Sequence, residues 1–220
     1  MTQIPIERKV LNANDAIAAT LRERFLEHGI FSLNLISSPG SGKTALLERT
    51  LERFAPDTRV AVVTGDLQTD NDARRLARAG FPVKQITTAG ACHLDARMVE
   101  NALADWNLAE LDLLLIENVG NLVCPTSYDL GENSKVVLMS VTEGEDKPLK
   151  YPGIFYKADL MLLTKIDLLP HLQFDDALAC DNARQIHPGL EIIRTSATTC
   201  AGLDRWLGWI EARMHRPTAA

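Results

Sequence analysis

The amino-acid sequence predicts an α/β fold, a doubly wound and mostly parallel sheet with helices on both faces. Three observations carry that prediction. Short apolar runs alternate with helical patterns along nearly the whole chain. Runs such as "LDLLLIE" are apolar at successive positions, as strands covered on both faces must be. The first strong run ends in "SSPGSGKT", a Gly-rich loop that passes directly into a helical segment.

The elements follow in order. The pattern over 14–28 predicts an amphipathic helix, capped by Asn12 or Asn14 and ended by Gly29. Strands are predicted at 33–36, 59–64, 82–86, 111–116, 135–141, 159–163 and 190–194. Helices are predicted at 43–54, 70–79, 93–104, 174–186 and 203–215. The Pro- and Gly-containing stretch "TEGEDKPLKYPG" reads as a loop. Nothing resembles a repeat or a linker, so one domain is expected over 1–220, its N-terminal helix (about 12–28) preceding the first strand.

Composition narrows the function. The chain has 220 residues, 46% hydrophobic and 24% charged, which is ordinary for a packed domain. A net charge of −6 disfavours a nucleic-acid partner. No apolar run approaches the roughly 20 residues that span a bilayer. "MTQIPIERKVLNANDA" lacks the apolar centre of a signal peptide, so no membrane association and a cytoplasmic location are expected. The four cysteines do not make a disulfide scaffold in such a chain. Cys180 and Cys200 read as buried thiols of the core.

The segment 37–44 has the spacing of a phosphate-binding loop. Gly42, Lys43 and Thr44 match that pattern, and Ser37 stands where its first glycine is expected. In such a loop successive N–H groups turn toward phosphate oxygens at a helix N-terminus. Gly40 and Gly42 allow close backbone approach, with Ser41 and Ala45 contributing to the same cradle. Lys43 is then the cation for the β- and γ-phosphates, and the Thr44 hydroxyl a Mg²⁺ ligand.

"LLTKIDLLP" selects the base. Thr164, Lys165 and Asp167 lie at the carboxyl end of an apolar run, where open α/β sheets bind ligands. A carboxylate at Asp167 accepts both the N1–H and the exocyclic N2–H of guanine, and adenine offers no such pair of donors. Lys165 lays its stem over the base, and Thr164 occupies a position where many guanine sites have Asn. Ser196 and Ala197 in "TSATTCAGL" are expected to turn backbone toward guanine O6. GTP is therefore the expected nucleotide.

"LLLIENVGN" ends a strand in Glu117, with Gly120 beyond it. Gly120 is expected to sense the γ-phosphate through its amide. Glu117 is expected to hold Mg²⁺ through water or to orient the attacking water. Asp66, at another strand end, is a second candidate at the Mg²⁺ site, and Asp72 a third. Lys43, Asp66, Glu117 and Gly120 form the expected catalytic set. Asn121 stands where some GTPases place a water-orienting Gln, so slow intrinsic hydrolysis is expected.

"GACHLDA" and "VGNLVCP" supply Cys92, His93 and Cys124. Thiolate with imidazole suits Ni²⁺ or Zn²⁺. Adjacent Cys and His share one ion only where the backbone is not regularly extended. A helix beginning at 93 is expected to lower the Cys92 thiol pKa. One chain offers three ligands, so closure needs a fourth from water or from a second chain, and two chains face to face would pool six. Because Cys124 hangs on the γ-phosphate-sensing segment, nucleotide state is expected to change metal geometry.

Together, "SSPGSGKT", "GACHLDA", "IENVGNLVCP", "TEGEDKP" and "TKIDLLP" resemble the HypB family, P-loop GTPases of the SIMIBI class that assist nickel insertion into [NiFe]-hydrogenase. The likeness runs from about Asn12 to the C-terminal helix. It implies a GTP-dependent homodimer with metal held at the dimer face by Cys92, His93 and Cys124. It also implies a HypA-like nickel-binding accessory protein and the hydrogenase large-subunit precursor as partners. In "TEGEDKP" it implies a lysine that reaches the partner's nucleotide, here read as Lys150. Family members with an N-terminal Cys-rich or His-rich tract differ from this chain, which has no Cys before Cys92 and only His28 before His93. A urease-type accessory GTPase of the UreG kind is the nearest alternative, but would show Cys-Pro-His where this chain reads "ACH". A P-loop small-molecule phosphotransferase is disfavoured by "TKID", and a metal-binding module with a vestigial nucleotide site by the intact Lys43–Thr44 pair.

Overall fold

The computed structural model of the chain describes residues 6–66, 71–88 and 90–214. Helix α1 (Ile6–Glu27) leads into β1 (Phe31–Ser37), and α2 (Lys43–Leu51) follows the Gly-rich loop. Then come β2 (Val60–Asp66), α3 (Asn71–Ala77), β3 (Val83–Thr87), α4 (Ala96–Ala102), β4 (Leu113–Glu117) and β5 (Ser134–Ser140). The chain continues through α5 (Lys147–Lys150), α6 (Pro152–Lys157), β6 (Leu160–Thr164), α7 (Asp176–Ile186), β7 (Glu191–Arg194) and α8 (Leu203–Met214).

The seven strands form one sheet in the order β3-β2-β4-β1-β5-β6-β7. All the pairings are parallel. β1 is the pivot. From it the chain travels to one side through β2 and β3, returns as β4, and then crosses to the other side for β5. That reversal opens a crevice at the carboxyl ends of the strands, the place where such sheets bind ligands.

Side-chain alternation explains the two covered faces. Leu113 and Leu115 of β4 pack with Leu46, Leu47 and Leu51 of α2 and Trp206 of α8. Leu114 and Ile116 point the other way, onto Leu21 and Phe25 of α1 and Val99 of α4. Val137 and Met139 of β5 meet Ile154 and Phe155 of α6 and Ala183 of α7. Trp206 is wholly buried, and its indole N–H is satisfied by Thr50 Oγ1 at 2.9 Å. Among the described residues, no helix is long and apolar enough to cross a membrane.

All seven predicted strands form, each within a few residues of its expected limits. Several helices differ from their expected limits. α1 starts at Ile6, so neither Asn12 nor Asn14 caps it. Asn14 is instead a buried mid-helix residue whose amide donates to Asp129 O and accepts from Ala96 N–H, each at 2.8 Å. α2 ends at Leu51, short of 54. α4 begins at Ala96 rather than 93, because Asp95 accepts the Met98 N–H at 2.7 Å and so caps the helix there. The expected loop over 142–153 carries α5 and α6, each with Pro in its first turn, where the fixed φ of proline favours helix. The predicted helix ends at Asp70 and His215 lie outside the described residues.

Asn14→Ala removes both tertiary bonds and leaves buried partners unsatisfied. The expected loss is about 2 kcal/mol, or a Tm lower by roughly 4–8 °C. Thermal melting followed by circular dichroism measures it, and an unchanged Tm refutes the tether.

Candidate functional site

The phosphate loop sits at the carboxyl end of β1, and its conformation matches its composition. Gly40 and Gly42 have φ of 74° and 93°, left-handed values that a side chain would strain. A cavity of about 460 Å³ opens there, lined by Gly40, Gly42, Lys43, Thr44, Ala45, Asp66, Asp72, Arg75, Glu117, Asn118, Gly120 and Lys165 among others. The structure therefore brings the expected catalytic and Mg²⁺ residues into one space. Lys43 is buried, and its ammonium donates to Ser37 Oγ at 2.8 Å. The serine that replaces the first glycine of the pattern thus gives the lysine a partner. Burial pushes the Lys43 ammonium below its ordinary pKa, against the opposing pull of Glu117.

Glu117 closes the other side. Its Oε1 accepts the Thr44 hydroxyl at 2.8 Å, while Oε2 is buried with no hydrogen-bond partner. Burial pushes this carboxyl up to about 7, against the attraction of Lys43 and the Thr44 bond. An orphaned buried carboxylate oxygen beside a threonine hydroxyl, with Asp66 and Asp72 lining the same cavity, fits a hard divalent cation such as Mg²⁺.

Gly120 lies against the phosphate loop. A Cβ there would fall 2.9 Å from Pro39 Cα and 3.0 Å from Pro39 N, both backbone atoms, so only glycine fits without displacing the loop. The loop is braced from a third side by a carboxylate that the sequence did not single out. Glu143 Oε1 accepts Ser41 Oγ at 2.7 Å and Ser140 N–H at 2.9 Å. Burial raises the Glu143 pKa, but the bonds from Ser140, Ser41, Ser38 and Lys147 outweigh it and hold the carboxyl below its ordinary value. Lys147 donates to Ser38 Oγ at 3.2 Å.

A second cavity, of about 200 Å³, adjoins the first. Ser41, Gly42, Ala45, Thr164, Lys165, Asp167 and Ala197 are among its lining residues. The Lys165 Cε passes 3.7 Å from where a Gly42 Cβ would stand, and its ammonium donates to Gly40 O at 2.7 Å. Thr164 spends its hydroxyl on Ser41 O, at 2.7 Å, which ties this cavity to the phosphate loop. Asp167 is oriented by a hydrogen bond from Ser196 Oγ. The Ser196 N–H already donates to Ala201 O at 3.0 Å. Ser196 therefore orients Asp167 through its side chain, and Ala197 lines the cavity beside it. Lys150 sits on α5 away from both cavities, and its ammonium pairs with Asp146 at 2.7 Å.

The Cys/His set also assembles. The ligand atoms of Cys92, His93 and Cys124 all lie within 4.8 Å of one another. The chain bends at Cys92 and His93 rather than running extended, so neighbouring side chains can converge. Cys92 Sγ stands 3.9 Å from His93 Nδ1. The expected lowering of the Cys92 pKa does not occur. The helix starts three residues later and is capped by Asp95, and a hydrogen bond with Cys124, then burial, raise the thiol above its ordinary value. Burial lowers the His93 pKa, which favours the neutral imidazole that a metal requires. The His93 ring stacks on Tyr128, centroids 3.9 Å apart. Cys180 is buried in the core, as expected, and Cys200 packs at its margin.

Tyr128, Asn118 and Glu143 were not legible as site residues. Tyr128 carries no sequence signal. Asn118 and Glu143 stand inside the quoted blocks "ENVGN" and "TEGEDKP", but only the fold shows what they touch.

A profile of the CobW/HypB/UreG nucleotide-binding domain matches residues 32–194. The hydrogenase maturation factor HypB of Azotobacter vinelandii is 55% identical over 206 residues, 94% of this chain and 68% of that protein. The chain belongs to the HypB family of hydrogenase maturation factors. The crystal structure of HypB from Helicobacter pylori in complex with nickel superposes with a TM-score of 0.87 at 40% identity, covering 94% of this chain and 99% of that one. Signal recognition particle 54 kDa protein from Aeropyrum pernix, in complex with GDP, shares the fold at a TM-score of 0.56 and 13% identity, covering 84% of this chain and 49% of its own. Membership of this P-loop GTPase family supports nucleotide hydrolysis, and the urease-type alternative is not favoured.

In nucleotide-free protein the folded state holds the Glu117 proton up to about pH 7, whereas the ordinary value is 4.5. Raising the pH through that interval therefore removes stability, on the order of 3 kcal/mol once both states are ionised. Glu117→Gln should melt several degrees above the wild type at pH 8, with the gap closing toward pH 4. Parallel melting profiles across that range would contradict the buried, proton-holding carboxyl.

Proposed function

We propose that this chain is a GTP-hydrolysing nickel carrier for [NiFe]-hydrogenase maturation, working in the cytoplasm as one P-loop domain. A single observation carries the reading. One short peptide begins at Glu117, which bonds Thr44, passes Gly120 against Pro39, and ends at Cys124 beside Cys92 and His93. The two sites are therefore ends of one element, which is what coupling between them needs.

The residues take these roles. The phosphate loop of Gly40, Ser41, Gly42, Thr44 and Ala45 cradles the β- and γ-phosphates, and Lys43 turns from Ser37 to them. Asp167 reads the guanine edge, Lys165 covers the base, and Thr164, Ser196 and Ala197 shape its pocket. Thr44 with Glu117, Asp66 and Asp72 would hold Mg²⁺, which when bound supplies charge neutralisation at the phosphates. The Gly120 amide contacts the γ-phosphate and loses that contact on hydrolysis. The Asn121 side chain is occupied with Cys92 O rather than aimed at the phosphates, which supports slow intrinsic turnover. Cys92, His93 and Cys124 bind nickel, or zinc in its place, and a GTP-dependent homodimer completes the coordination. Lys150 is assigned to the partner's nucleotide. The proposed route runs from a HypA-like nickel-binding accessory protein to the hydrogenase large-subunit precursor.

Three measurements test this. Mass and nickel content should differ between protein with GDP and protein with a non-hydrolysable GTP analogue, and identity of both refutes the coupling. Asp167→Asn should reduce GTP-over-ATP discrimination by at least about tenfold, since it converts one acceptor into a donor facing a donor. Cys124→Ala should weaken Ni²⁺ binding by at least about tenfold in calorimetric titration while GDP affinity stays within a factor of about two. Nickel affinity equal to wild type would remove Cys124 from the ligand set.

A further inference from the structure

The three candidate ligands sit on two segments, 92–95 and 117–124, and two asparagines join those segments. Asn118 is fixed to the sheet twice. Its N–H donates to Leu35 O at 3.0 Å, and its Nδ2 donates to Asn34 Oδ1 at 3.2 Å, both in β1. Its Oδ1 accepts from Val119 N–H at 2.9 Å and from Leu94 N–H at 3.1 Å. Leu94 is itself wedged over Gly65, where a Cβ would lie 2.7 Å from Leu94 Cδ2. His93 is bonded to this clamped residue and stacks on Tyr128. The imidazole side of the site is thus held to the sheet.

Asn121 stands beyond Gly120, on the part of the peptide farther from that anchor. Its Nδ2 donates to Cys92 O at 3.2 Å. Its Oδ1 accepts the Val123 N–H at 2.9 Å, immediately before Cys124. One half-buried side chain therefore links the backbone of Cys92 to the turn that presents Cys124.

We propose that Asn121 is a positioning residue that makes Cys92 and Cys124 move as one unit when the 119–124 peptide responds to the γ-phosphate, while Asn118 keeps His93 with the sheet. The two sulfurs then keep their spacing in both nucleotide states, and the distance from the sulfurs to the imidazole is what changes. Nickel would be released by loosening on the histidine side rather than by parting the thiolates. This rests on the reading of that peptide as nucleotide-responsive.

The test uses the full chain, metal-free, with Mg²⁺ and either GDP or a non-hydrolysable GTP analogue. Diamide, which takes up the two protons and two electrons released by a thiol pair, cross-links Cys92 to Cys124. Non-reducing electrophoresis isolates the product cross-linked within one chain, and peptide mapping separates it from any involving Cys180 or Cys200. In the wild type the cross-linking rates with the two nucleotides should agree within about twofold. Asn121→Asp keeps the acceptor for Val123 N–H, and so the turn, but loses the donor to Cys92 O. Its two rates should diverge by about threefold or more, a coupling of the size expected for residues in direct contact. Asn121→Ala should diverge in the same direction. General loosening would change both rates alike, so their ratio isolates the positioning role. A wild-type ratio well beyond about twofold overturns the proposal. So do variants whose ratios equal the wild type's. A parallel Ni²⁺ titration of the wild type tests the carrier function separately, since absence of bound nickel counts against that function and leaves the cross-linking result intact.

Discussion

The hydrogen bond from Thr44 to Glu117 is the joint on which the rest of the structure depends. It connects the first turn of the helix after the phosphate loop to the end of β4. It can form because β1 pairs with β4 in parallel register, with Leu35 opposite Glu117. That register puts a carboxylate beside the loop, buried and with one oxygen unpartnered. An unpartnered buried carboxylate oxygen costs stability, which is why burial pushes this carboxyl up toward its protonated form.

From that joint the peptide runs on without a helix. Gly120 presses on Pro39, and the next residues turn into Cys124. A side chain at Gly120 would force the phosphate loop and the peptide apart, so the contact exists only because that residue has none. The segment that bears the thiol therefore packs directly on the phosphate loop. A buried polar chain through Asn34, Asn118 and Glu132 ties the start of this peptide to β1, with Asn34 Nδ2 donating to Glu132 Oε1 at 3.0 Å. α1 is drawn into the same framework by Asn14 and by the bidentate pair of Arg22 with Asp129 at 2.6 and 2.7 Å. The imidazole side is framed by fixed groups and the Cys124 side by a short turn.

Much of this was legible in residue order alone, because it depends on local chemistry. The central strands, buried on both faces, must be apolar at successive positions and stood out most clearly, while the edge strands β3 and β7 showed as shorter runs between helical patterns. A phosphate loop needs glycines at left-handed φ, then a lysine and a hydroxyl at a helix start, and Gly40, Gly42, Lys43 and Thr44 declare it. Cys92, His93 and Cys124 stood out because thiol and imidazole at such spacing have little reason to occur in a core. What stayed hidden depends on long-range geometry. Asn14 looked like a cap, since a cap and a buried tertiary bond use the same amide. Asp95 outcompeted His93 for the helix start. Pro148 and Pro152 read as loop residues although each opens a short helix.

Composition, periodicity and short motifs therefore settled the fold class and the family, and they singled out the phosphate loop and the thiols, because each signal depends on residue type and order along the chain. They could not settle that Ser196 supports Asp167, that Glu143 braces the phosphate loop from 102 residues away, or that Asn121 faces Cys92. Those partnerships depend on strand order and register, which bring distant segments within hydrogen-bond reach and leave no trace in local sequence.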